Sequence, residues 1–289
     1  MGGQTYDFTS RSIRTQTYAS QSFADTFGQQ SLGEMHNSMN PMEIKLRECR
    51  DSEVHPNSIP IIFGLDGTGS MDYIPKHMVV NGLPTLVSNL HQKGVPDAAI
   101  LFMVLGDSQG RPMYKQWDKA PLQIGQFESG DKELDLWLTR SWIEGGGWGN
   151  GGESYAWAWW FAANRVVSDA WEKRKEKGFI FTVGDDKCLD IAPEEFKRVL
   201  NITHEFATKE DLYKAASERW NVYHFCLDRN QQACASWQKF MGENCIQVHN
   251  HEDIPNLIAD IIAGVNKNET KTVLDPYLNK PERDGKITL

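Results

Sequence analysis

Apolar residues in this chain fall into short unbroken runs separated by stretches of helical spacing. Ile59–Leu65 (IPIIFGL) and Ala98–Leu105 (AAILFMVL) are continuous apolar runs, as expected of strands buried on both faces. Ala120–Phe127, Phe179–Val183 (FIFTV), Val222–Leu227 (VYHFCL) and Cys245–Val248 (CIQV) supply further strands. Helical spacing runs from Tyr73 to Gln92, over Lys132–Trp142, over a long stretch from Glu153 to Lys175, and over Asp253–Val265. Strands alternating with helices predict an α/β fold, a doubly wound and mainly parallel central sheet flanked by helices. Ligands of such sheets bind beyond the carboxyl ends of the strands, so chemistry is expected just after Leu65 and just after Val183.

Residues 1–40 differ from the rest. They are rich in Gln, Ser, Thr, Gly and Asn, with apolar positions too sparse for either period, which predicts a polar extended or disordered arm. Residues 41–265 read as the domain, opened by a charged lead-in at Arg47, Glu48, Arg50 and Asp51, and residues 266–289 as a polar tail. With 289 residues and 40% hydrophobic content, the chain can bury a large core without staples. The five cysteines are odd in number, scattered and form no C-x-x-C pair. That pattern argues against a disulfide framework and a zinc knuckle, and suits a reducing compartment. The first residues lack the apolar core of a signal peptide, and no run of about 18 apolar residues occurs. The expectation is a cytoplasmic protein without membrane contact. A net charge of −9 with no concentrated basic face argues against broad nucleic-acid binding.

Both expected strand ends carry acids. Asp66-Gly67-Thr68-Gly69-Ser70-Met71 follows the first, a D-x-T-x-S loop leading into a helix. Asp, Thr and Ser at alternating positions of a tight turn can aim three oxygens at one point, and the glycines permit the turn. One carboxylate with hydroxyls is a hard, oxygen-only set suited to Mg²⁺, with Mn²⁺ or Ca²⁺ as alternatives, rather than zinc. Gly184-Asp185-Asp186 follows the later strand and offers a second carboxylate. The plain alternative is a helix N-cap with turn glycines.

At these residues the sequence resembles the von Willebrand factor A (vWA) family, intracellular type, whose metal-ion-dependent adhesion site (MIDAS) opens on a D-x-S-x-S or D-x-T-x-S loop. Asp66, Thr68 and Ser70 match that loop, and Asp185 matches the acid after a later strand. The family's second loop supplies a Thr or Asp; here Asn150 stands where that Asp falls, with Glu153 at the matching spacing. The resemblance covers residues 58–265. It implies a binding module rather than an enzyme: a MIDAS-type Mg²⁺ with one position open, completed by an Asp or Glu from a protein partner. Many intracellular members work beside AAA+ ATPases or in multiprotein assemblies, so such an assembly is implied here too.

Two other readings compete. A structural or assembly protein would use the N-terminal arm, with the metal only stabilising. A phosphohydrolase of haloacid-dehalogenase type would need a nucleophilic Asp where this chain has Gly64, and a glycine cannot attack phosphorus. The G-x-G-x-x-G spelled by Gly147–Gly152 follows a helical segment rather than a strand, so its context is wrong for a dinucleotide site. The aromatic stretch Ser154–Phe161 reads as core, with Trp148 and one or two rings left to rim the metal. The eight histidines show no ligand spacing beside the acids, and His249 and His251 read as surface polar residues rather than a second metal site.

Overall fold

The computed structural model describes residues 3–227 and 231–266. Eight strands are present there: β1 Arg47–Cys49, β2 Ile59–Asp66, β3 Ala98–Leu105, β4 Leu122–Ile124, β5 Val166–Ser168, β6 Gly178–Gly184, β7 Trp220–Leu227 and β8 Cys245–Val248. Six of them form one sheet in the order β4-β3-β2-β6-β7-β8. All its pairings are parallel except β3 with β4. The fold is therefore mixed α/β, with a central, mostly parallel sheet flanked by helices.

The helices are α1 Phe8–Ser20, α2 Phe23–Thr26, α3 Ile74–His77, α4 Leu83–Gln92, α5 Asp131–Thr139, α6 Ala156–Arg165, α7 Asp169–Arg174, α8 Pro193–Leu200, α9 Lys209–Ser217, α10 Gln231–Met241 and α11 Ile254–Asn266. Alternation along the central strands divides the core. Phe63, Phe181 and Phe225 face one layer with Leu86 and Ile258, whereas Ile62, Ile180 and Val222 face Trp157, Trp159 and Trp237. Both faces of every central strand are covered, which is why these strands read as unbroken apolar runs.

Several expectations need correction. The segment from Glu153 to Lys175 is not one helix: Val166–Ser168 pairs with Arg47–Cys49 as a small parallel sheet, and Ser168 then caps α7. Two adjacent β-branched valines and a capping serine favour that break. Tyr73–Gln92 is interrupted by a π turn over Met78–Gly82. Pro84 follows it and has no N–H to return to the carbonyl four residues back, so the turn widens. The strand expected over 120–127 shortens to Leu122–Ile124.

Residues 3–40 are neither extended nor loose. Asp7 caps α1 by accepting from the backbone N–H groups of Thr9 and Ser10 at 2.9 and 3.0 Å. Tyr6, Phe27 and Met39 are buried, and Gln30 exchanges two hydrogen bonds with the Ile143 backbone at 2.8 and 2.9 Å. Arg11 is buried, ion-paired with Asp135 and bonded to the Val79 carbonyl. Polar bonds hold this segment more than apolar burial does, so hydrophobic periodicity does not register it. The tail expected over 266–289 lies outside the described residues, except that Asn266 ends α11.

The cysteine pattern also misleads. Cys226 of β7 and Cys234 of α10 form a disulfide, and the other three cysteines are buried and free. The pairing removes the ground for reading a reducing compartment from the cysteines. Among the described residues no helix is long and apolar enough to cross a membrane.

Candidate functional site

β2 lies between β3, its successor in the chain, and β6, and such a change of direction opens a crevice at the carboxyl edge. Leu65 is in register with Val183, so Asp66 and Asp185 leave the sheet side by side. Asp66 is completely buried at the floor. Its Oδ1 accepts from the Thr68 backbone N–H at 2.8 Å and from Thr68 Oγ1 at 2.6 Å. Its Oδ2 accepts from the Tyr155 hydroxyl at 2.5 Å. Thr68 Oγ1 lies 3.3 Å from Ser70 Oγ, and Ser70 Oγ donates to Asp185 Oδ1 at 2.8 Å. Thr68 and Ser70 each give their one hydroxyl proton to a carboxylate, so Asp66–Thr68 and Ser70–Asp185 are two hydrogen-bonded pairs whose hydroxyl oxygens stand side by side, with Ser70 at the exposed mouth.

Glu153 joins them from the glycine-rich loop. It is buried, and its Oε2 has no hydrogen-bond partner. Its backbone is locked to the loop after β6, Glu153 N–H to Lys187 O at 2.8 Å and Leu189 N–H to Glu153 O at 2.9 Å. Asn150 is turned elsewhere: its amide donates to Asp107 Oδ2 at 2.9 Å and to the Gly110 carbonyl at 3.3 Å. Of the two second-loop candidates, the geometry gathers Glu153 and not Asn150. Trp148 donates to Asp118 Oδ1 at 3.0 Å, while Trp157, Trp159, Trp160 and Phe161 are all core.

The electrostatics of the cluster are unbalanced. No Lys or Arg pairs with Asp66, Glu153 or Asp185 among the described residues. Burial pushes the Asp66 carboxyl up to about 7, against the hydrogen bonds from Thr68 and Tyr155. Burial, then the neighbouring Asp66, Asp107 and Asp118, pushes Glu153 up to about 11. Two buried carboxyls held this high amount to a demand for positive charge. An orphaned carboxylate oxygen beside hydroxyls and a second strand-end acid is a donor set that fits a hard divalent cation. Asp72, just beyond the loop, has φ 48° and ψ −117°, a strained backbone of the kind that accumulates at functional sites.

Reasoning from sequence missed Tyr155, whose hydroxyl leaves a run of core aromatics to hold Asp66. It also missed Asp107 and Asp118, which lie beyond the end of β3 and raise Glu153. Asp107 carried a legible signal, since an acid just past a buried strand is the same mark that singled out Asp66 and Asp185.

No protein-family model matches the chain, and neither does any curated protein sequence. Among solved structures it is similar to the open conformation of the pilus adhesin SpaC from Lactobacillus rhamnosus GG, at 8% identity over 80% of this chain and 31% of that one, TM-score 0.44. It is similar to proximal thread matrix protein 1 from the mussel byssus, at 11% identity over 75% of this chain and 49% of that one, TM-score 0.42. A von Willebrand factor type A protein from Catenulispora acidiphila matches at 12% identity over 80% of this chain and 51% of that one, TM-score 0.37. The chain spans about a third to a half of the length of these structures.

Proposed function

We propose that this chain is a vWA-type interaction module that grips a partner protein's carboxylate through a MIDAS-type Mg²⁺ site. The observation that supports it most is the two side-by-side pairs Asp66–Thr68 and Ser70–Asp185, drawn from two neighbouring strand ends, with the orphaned Glu153 carboxylate beside them. Asp66, Thr68, Ser70 and Asp185 would hold the ion, with Glu153 directly or through water. Tyr155 and the Thr68 N–H orient Asp66. A bound divalent ion would supply Lewis acidity at the mouth, where an incoming Asp or Glu can complete its shell.

Gly64 speaks against hydrolysis of the haloacid-dehalogenase type. A Cβ at Gly64 would stand 2.8 Å from Leu105 Cδ1 and 3.3 Å from Thr182 Cγ2, so a side chain at the position that a haloacid-dehalogenase-type nucleophile needs would have to displace Leu105. The assembly reading is weakened, because residues 3–40 fold onto this chain's own domain through Tyr6, Phe27, Met39 and the Arg11–Asp135 pair rather than standing free. Mg²⁺ titration calorimetry on the wild type and on Asp66→Ala, Ser70→Ala and Asp185→Ala tests the proposal. Binding present in the wild type and lost in all three is expected; equal binding in Asp66→Ala and the wild type would sink it.

A further inference from the structure

A second set of metal-ligating side chains converges outside the oxygen cluster. His77 ends α3, the helix reached from the D-x-T-G-S loop, and the π turn follows it directly. His251 and Glu252 open a 3-10 turn, His251–Asp253, between β8 and α11. One ring nitrogen of each histidine and one oxygen of Glu252 lie within 4.8 Å of one another. The two rings stand edge to face, centroids 4.6 Å apart at 83°, and Tyr73 meets His251 edge-on at 5.3 Å. His77 and Glu252 also line an open cleft of about 320 Å³.

We propose that His77, His251 and Glu252 form a second metal site, for a borderline transition ion of the Zn²⁺ class, independent of the oxygen site. Two imidazoles and one carboxylate match the three-ligand zinc sets that leave a fourth position open, and imidazole disfavours Mg²⁺. A tetrahedral ion with bonds of about 2.0–2.1 Å holds its donors roughly 3.3 Å apart, so side-chain rotations of half-buried and exposed groups suffice to close the set. The supports are already in place. Asn250 Oδ1 accepts from the Glu252 N–H at 3.0 Å, and Asn250 Nδ2 lies 3.4 Å from Glu252 Oε2. Asn89 bonds Asn256 at 2.6 Å, tying α4 to α11 beside the cleft. Such outer bonds orient metal ligands. Spacing in the sequence hides the set, because the ligands come from α3 and from the turn after β8, elements far apart in the chain. The open cleft leaves the vacant position to water or to a partner's side chain.

The test is Zn²⁺ calorimetry on the full chain in excess Mg²⁺, with Co²⁺ absorption as a second readout of tetrahedral nitrogen ligation. One Zn²⁺ per chain is expected, weakened at least about tenfold in His77→Gln and in His251→Gln and unchanged in Asp66→Ala. Circular dichroism on the same samples confirms that the variants fold. Absence of Zn²⁺ binding in the wild type would overturn the proposal. So would wild-type affinity in the folded double histidine variant, or loss of Zn²⁺ in Asp66→Ala, which would place the ion in the oxygen site.

Discussion

Neutralising Asp66 should move stability in opposite directions with and without a divalent ion. In the metal-free protein its carboxyl is wholly buried and held up to about 7, burial being the largest cause and the nearby Asp185 adding to it. The unfolded value is about 3.9. A folded pKa raised above the unfolded one means that ionisation opposes folding. The penalty is absent below about pH 4, grows as pH rises to 7, and is constant above that. The gap of about three units corresponds to roughly 4 kcal/mol at pH 8, reduced to about 2–4 kcal/mol once weaker bonds to Thr68 and Tyr155 are allowed for. Asp66→Asn keeps the shape and an acceptor for Thr68 while removing the charge. In chelator at pH 8 it should therefore be more stable than the wild type by that amount, and at pH 4 nearly equal. Mg²⁺ at about 100 times its Kd should stabilise the wild type by about 2.7 kcal/mol and leave the variant unmoved. Urea denaturation followed by tryptophan fluorescence, at pH 4 and 8 with Mg²⁺ or with EDTA, reads all four states. A variant that is less stable than the wild type in EDTA at pH 8, or that gains as much from Mg²⁺, would refute the charge argument.

Two further outcomes concern the frame around the site. Arg11→Ala leaves the buried Asp135 with only Arg14 and strips the Val79 carbonyl of its donor; it should cost about 3 kcal/mol and lower Tm by roughly 6–12 °C, whereas exposed Ile13→Ala should change little. Calorimetric Tm values that match for the two variants would mean the N-terminal helix adds nothing to the fold. Burial raises the Asp169 carboxyl, but Lys173, the Asp51 N–H and Arg50 outweigh it and hold the group at about 2. Because that folded value is depressed, its contribution is present above about pH 4 and lost as pH falls toward 2. Asp169→Asn should lose about 1 kcal/mol at neutral pH, discounted for its exposed partners, and show a shallower acid limb between pH 4 and 2 in a pH series of urea melts.

The central sheet was legible because strands covered on both faces have nowhere to put polar residues, and β3 and β8 fall on the runs read from sequence. Asp66, Thr68, Ser70 and Asp185 were legible for a related reason: a buried strand that ends in an acid declares both its register and its open edge. What escaped was held by polar bonds. The N-terminal segment is fixed by Arg11, Arg14, Gln30 and Asp7, none of which contributes to an apolar period. The break after Arg165 depends on a pairing with β1, more than a hundred residues earlier, that no local window contains.

The glycine-rich loop shows why the second-loop ligand could not be settled by spacing. Its glycines allow backbone to approach backbone. Gly69 donates to the Gly146 carbonyl at 2.8 Å, and a Cβ on Gly69 would stand 2.9 Å from the Gly145 carbonyl. A Cβ on Gly152 would stand 2.8 Å from the Lys187 carbonyl. The loop is thus wedged between the turn after β2 and the turn after β6, and that wedge, rather than the count of residues from Gly147, decides which side chain faces inward. Asn150 lies on an arc that leans over the end of β3 and finds Asp107; Glu153 lies where the chain is clamped to Lys187 and Leu189 and faces Asp66. Here three acids crowd the same edge, and the site's field is suited to cations.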